Sequence, residues 1–114
     1  MPIEKVYAQL SCSDLERSIV WFEHLFERTP DARPMDGLAE WHHADTAGFQ
    51  LFRNAPNAGK GTLTLIVSDL RTEHSRLANA GLEPSAIEPA DTTSLVRLHD
   101  PDRNLVVLAQ PGRA

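Results

Sequence analysis

The chain repeats itself, and that repeat restricts the folds open to it. "LSCSDLERSIVWFEHLF" (Leu10 to Phe26) and "LIVSDLRTEHSRLANAG" (Leu65 to Gly81) each place Ser-Asp-Leu directly after an apolar run. The two triplets begin at Ser13 and Ser68, 55 positions apart. Self-similarity at this period means one supersecondary unit used twice. Each Asp opens a helix, because its carboxylate accepts hydrogen bonds from free N–H groups of the first turn and suits the positive end of the helix dipole. In the first helix Leu15, Ile19, Phe22 and Phe26 fall on one stripe, with Ser18 and Leu25 beside it. In the second, Leu70, His74, Leu77 and Gly81 trace a weaker stripe, and Gly81 stops it. His74 holds the repeat position of Ile19, which predicts a partly buried, hydrogen-bonded imidazole.

After each helix the pattern becomes strand-like. "LAEWHHADTAGFQLFRN" reads as strand, turn at Asp45 to Gly48, strand. "TSLVRLHDPDRNLVVLAQ" reads the same way, with its turn at Asp100 to Asn104. "PDARPMDG" (Pro30 to Gly37) reads as loop, and "NAPNAGKG" (Asn54 to Gly61) has the composition of a linker. The chain is therefore expected to be two βαβββ modules, residues 1–53 and 61–110, with a linker at 54–60 and a short tail. Its 114 residues suit a single domain.

Strand side chains alternate between two faces. On the first strand Val6, Ala8, Leu10 and Cys12 make an apolar face, against Tyr7, Gln9 and Ser11. On the first strand of the second half Leu63, Leu65 and Val67 oppose Thr62, Thr64 and Ile66. Phe49 and Leu51 oppose Gln50 and Phe52. The closing strand is apolar on both faces, Leu105 with Val107 and Val106 with Leu108, which predicts cover on both sides.

Eleven basic and 16 acidic residues give a formal charge of -5, which argues against nucleic acid and anionic membranes as partners. No apolar run approaches the ~20 residues of a membrane span. The opening "MPIEKVYAQL" lacks a signal-peptide pattern, so a cytoplasmic location is expected. Cys12 is the only cysteine; it excludes an intrachain disulfide and reads as a buried small residue.

A strand ending in "SDLERSIVWFEHLF", a second half opening "LTLIVSDL" and a closing "DPDRNLVVLAQ" resemble the glyoxalase, bleomycin-resistance and extradiol dioxygenase group, the vicinal oxygen chelate superfamily. Arg103 stands where that family usually has Gly, so the turn must take a positive φ there or be reshaped. The resemblance implies an α+β fold over residues 1–114, with curled mixed sheets around a cleft and helices outside. It makes the polar strand faces the cleft. Metal-dependent members place His or Glu at four symmetric cleft positions, which here hold Tyr7, Gln50, Thr62 and Val107. A divalent transition metal wants imidazole or carboxylate, so no metal and no cofactor is expected. A Glu40–His42 pair with His99 is the residual alternative for a metal.

The cleft inventory is then Tyr7, Gln9, Glu40, His42, Gln50, Phe52, Thr62, Thr64, Arg97, His99 and Val107, with Leu95 beside them. Counted back from Asp45 and Asp100, His42 and Arg97 hold equivalent positions. Arg97 either binds a ligand's carboxylate or phosphate, or pairs with an acidic neighbour or reaches solvent. His42 or His99 has the chemistry of a general base, though no partner that would position it is visible in the sequence. Phe52, Tyr7 and Trp41 offer flat apolar surfaces. The expected function is metal-free binding of a small-molecule ligand by a homodimer. The alternative is a lyase, isomerase or dioxygenase of the same superfamily with a divergent site, and the sequence does not decide whether the chain is an enzyme.

Overall fold

The structure is a computed structural model that describes residues 1–112. The first module comprises β1 (Val6–Cys12), α1 (Leu15–Phe26), β2 (Leu38–Ala44) and β3 (Ala47–Arg53). A short 3-10 turn at Ala55–Asn57 leads to the second, β4 (Thr62–Ile66), α2 (Leu70–Asn79), β5 (Thr93–His99) and β6 (Leu105–Pro111). Each module is a three-stranded mixed sheet, in the orders β1-β3-β2 and β4-β6-β5. The first strand of each runs parallel to the last, and the hairpin is antiparallel.

The additional strand expected between each helix and its hairpin is reduced to single bridges, Ala32 to Glu40 and Glu88 to Leu95. Pro30 and Pro34 flank one bridge, and Pro84 and Pro89 the other. Proline cannot donate to a ladder, so pairing does not propagate. The first hairpin turn is also tighter than expected. Only Asp45 and Thr46 separate β2 from β3, and Gly48 lies within β3.

Both helices start as their sequences predict. The Asp14 carboxylate accepts from the Arg17 N–H at 3.2 Å, and Asp69 from the Thr72 N–H at 3.2 Å. Gly81 follows α2 at φ +80°, and Arg103 takes up positive φ, 74°, in the closing turn.

The helix-facing sides of both sheets share one buried cluster. In the first module it is aromatic: Phe22 packs on Phe49 at 4.9 Å and Trp41 at 6.2 Å between ring centroids. Trp41 is fully buried there, with its indole N–H donating to the Arg28 carbonyl, so it is core and not cleft lining. In the second module the corresponding space is filled by Leu70, Leu77, Val96, Leu98, Val106 and Leu108. All seven aromatic residues of the chain lie before Asn54. His74 is half-buried and bonds the Ser85 carbonyl at 2.9 Å, as its repeat position predicts.

Two expectations about cover fail. The apolar face of β1 is buried only at Leu10 and Cys12; Val6 is 65% exposed and Ala8 is exposed. On β6 Val106, Leu108 and Ala109 are buried, while Leu105 and Val107 are half-exposed. Helices cover one side of each sheet, and nothing among the described residues seals the other. The molecule is correspondingly flat, 41 × 36 × 24 Å.

The closing turn ties the modules together. Asn104 is fully buried; its amide donates to the Ser11 carbonyl at 2.9 Å and to Asp100, and its carbonyl accepts from the Gly61 N–H at 3.0 Å. Asp102 accepts from the Ser13 N–H at 3.0 Å, beside the start of α1. At the other end of α1, the Arg76 guanidinium reaches over from α2 to the carbonyls of His24 and Leu25 at 2.7 and 2.8 Å. These carbonyls lack helical partners, and a cation suits them.

Candidate functional site

The open face of the first sheet carries a connected polar network centred on Glu40. Gln9, Gln50 and Glu40 lie in one row across β1, β3 and β2. Their side chains run in series: the Gln9 amide donates to Gln50 at 2.9 Å, and Gln50 donates to Glu40 Oε2 at 2.7 Å. The other carboxylate oxygen, Oε1, meets His42 Nε2 at 3.1 Å and the Tyr7 hydroxyl at 3.4 Å.

Tyr7 reaches Glu40 from two strands away because the strand between them has a glycine. Tyr7, Gly48 and His42 form the neighbouring row. A Cβ on Gly48 would sit 2.5 Å from the Tyr7 ring, so the ring lies across the bare backbone. A strand-interior glycine marks such a close approach, and that signal was available in the sequence.

Glu40 is largely covered, its side chain 12% exposed, yet its carboxyl is held below the ordinary 4.5. The Gln50 hydrogen bond is the largest cause, and those from His42 and Tyr7 add to it, against the opposing effect of burial. The site therefore presents a carboxylate whose ligands are an amide, a phenol and an imidazole. Among the described residues, no Lys or Arg pairs with it.

The open face of the second sheet differs. Thr64, Val107 and Arg97 form the row matching Gln9, Gln50 and Glu40; Thr62, Leu105 and His99 match Tyr7, Gly48 and His42. The structural counterpart of Arg97 is thus Glu40, and that of His42 is His99. Counting back from the turns misaligns them, because Asp100–Asn104 is longer than Asp45–Thr46. Arg97 is exposed, and its Nε donates to Glu88 at 3.0 Å, so its acidic partner comes from its own module. Thr62, Thr64 and His99 are exposed, Phe52 and Val107 half-exposed.

Eleven predicted cleft residues thus lie on open faces, but the structure joins only Tyr7, Gln9, Glu40, His42 and Gln50 by hydrogen bonds. No hydrogen bond links these five to the second module among the described residues.

The donor chemistry does not fit a divalent cation at the four family positions. They hold a phenol, an amide, a hydroxyl and an isopropyl group, with the phenol and the amide both engaged by Glu40. Among the described residues, no group of three His, Cys, Asp or Glu side chains is arranged for a metal. Glu40 and His42 do pair, but His99 stands on the other sheet. Burial pushes the Cys12 thiol up to about 11, so it stays protonated and inert.

The fold is that of the glyoxalase and bleomycin-resistance proteins. A glyoxalase/bleomycin resistance protein from Catenulispora acidiphila superposes with a TM-score of 0.85 at 23% identity, over 94% of this chain and 97% of that one. The antibiotic-binding protein TnmS3 from Streptomyces does so with a TM-score of 0.84 at 21% identity, over 98% and 99%. A bleomycin-binding protein complexed with bleomycin follows at 0.78 and 19%, over 94% and 98%. No family model and no curated protein sequence matches the chain. No helix among the described residues is long and apolar enough to cross a membrane.

Proposed function

We propose that the chain is a metal-free small-molecule binding protein of the glyoxalase and bleomycin-resistance superfamily, acting as a cytoplasmic homodimer of single-domain chains. The observation that carries this reading is the Glu40 network. Tyr7 and Gln50, at positions the metal enzymes of the superfamily use for ligands, are instead hydrogen-bonded to a carboxylate on the neighbouring strand. That network can hold a ligand's polar group, while Phe52, Ile66 and Val107 on the open faces supply apolar surface. Antibiotic-binding proteins with this fold support the reading. A second copy supplies the missing wall. The flat shape, the half-exposed Leu105 and Val107 and the 68% exposed Ile66 are what a face left to a partner would show.

Calorimetric titration of metal-stripped protein with bleomycin and other antibiotics tests the reading. Saturable binding that persists in chelator and weakens at least tenfold in Glu40→Ala supports it. Binding that appears only when Zn²⁺, Ni²⁺ or Fe²⁺ is added overturns it.

One observation favours an enzymatic second reading. Glu40 holds Nε2 of His42, and Nδ1 has no hydrogen bond among the described residues. A carboxylate that orients an imidazole in this way readies its other nitrogen to take a proton. On this reading the protein is a metal-independent lyase or isomerase. Turnover of a bound ligand that is lost in both His42→Gln and Glu40→Gln would establish it.

A further inference from the structure

The second module has an open space beside its helix. A cavity of about 990 Å³ lies between α2 and the segment leading into β5, away from the open faces. Arg71, His74 and Ser75 line it from one face of α2, Ile87, Pro89 and Asp91 from the facing segment, and Ser94 from β5. In the first module Ile19 is buried where the second has His74, and the cavity between α1 and the segment leading into β2 is smaller, about 350 Å³.

Three side chains in this cavity have unspent chemistry. Ser94 is 2% exposed, and its hydroxyl, without a partner among the described residues, opens into the cavity. Arg71 and Asp91 line the same cavity with opposite charges, yet no ion pair joins them, and neither side chain is paired elsewhere among the described residues. Two opposite charges that share a cavity without neutralising each other match a ligand that carries both signs. The guanidinium fork suits a carboxylate, Asp91 suits an ammonium group, and the Ser94 hydroxyl can complete either. His74 is already committed to the Ser85 carbonyl, and Ile87 and Pro89 form an apolar wall.

We propose that this cavity is a second ligand site, independent of the Glu40 face, that binds a zwitterionic amino acid with an apolar side chain. The carboxylate lies on Arg71, the ammonium group on Asp91, and the side chain against Ile87 and Pro89.

The test is an amide-shift NMR titration of the full chain with L-phenylalanine, alongside 3-phenylpropionate and phenethylamine, each lacking one charge. Saturable shifts at Ser75, Ser94 and Ile87 are expected, with L-phenylalanine at least tenfold tighter than either analogue. Arg71→Gln should remove its advantage over phenethylamine, and Asp91→Asn its advantage over 3-phenylpropionate. Both residues are exposed, so the variants should fold. Glu40→Gln should leave the titration unchanged, which separates this site from the open face. Absence of saturable shifts around the cavity overturns the proposal. So does equal binding of all three probes, or L-phenylalanine affinity unaltered in both cavity variants.

Discussion

The two modules share a topology and divide the chemistry between them. The first has an aromatic core and a polar open face in which two neighbouring rows lead to Glu40. The second has an aliphatic core, an open face of Thr62, Thr64, Leu105 and Val107, and a cavity beside its helix. The rows that carry these side chains match in register between the two sheets, so the difference at the open faces is not one of strand pairing. It arises from which side chains stand at matching places. Gly48 against Leu105 decides whether a ring can lie across the sheet. Glu40 against Arg97 decides whether the row ends in a covered carboxylate or an exposed ion pair. Repetition supplies the scaffold, and site chemistry is grafted onto one copy.

The comparison breaks first at the cores. Phe22→Ala removes a fully buried ring that packs on Trp41 and Phe49, and should cost about 3–5 kcal/mol in urea unfolding. Leu77→Ala, its repeat counterpart, should cost less; an equal or larger loss would remove the distinction drawn between the two cores. Asn104→Ala tests whether the modules depend on their clasp. It leaves the Gly61 N–H, the Ser11 carbonyl and Asp100 without their partner and should cost about 2–3 kcal/mol. A loss under about 0.5 kcal/mol would mean that the modules hold together without it.

Gly48→Ala should cost about 1–3 kcal/mol by driving a methyl group into the Tyr7 ring. It should also shift the Tyr7 ring resonances, and a variant with native stability and unmoved resonances would refute the account of how Tyr7 reaches Glu40. The acid limb of unfolding sharpens the electrostatic contrast. The carboxyl of Glu40 is held below 4.5 in the folded chain, so its contribution is fully present above that pH and is lost as pH falls through the lower folded value. Glu40→Gln should therefore flatten the stability profile below about pH 4.5, whereas a parallel profile would show that the network does not favour the charged form. The smallest effect belongs to Arg97→Ala. Its ion pair with Glu88 is half-exposed on both sides, and such pairs contribute less than about 1 kcal/mol. A larger loss would make Arg97 structural, and a loss of ligand binding alone would restore it as an anchor.

Much of the fold was legible in the sequence because it is local. An Asp side chain caps the helix that begins beside it, a positive φ is absorbed within one turn, and alternation follows from the pleat. Those rules were enough to locate both helices, both hairpins, the buried Cys12 and the two faces of each strand. Contacts between distant residues were not legible. The alignment of Arg97 with Glu40 depends on hairpin turn lengths, which shift every row by their difference. That Glu40 gathers Tyr7, His42 and Gln50 depends on a glycine in the strand between the tyrosine and its partner. The commitment of Asn104 to Ser11 depends on how the modules pack, and the space beside α2 on how that helix meets the segment before β5. Strand alternation, a local rule, says which side chains could face each side of a sheet; which of them meet follows from register and cover, and those are set by residues far apart in the chain.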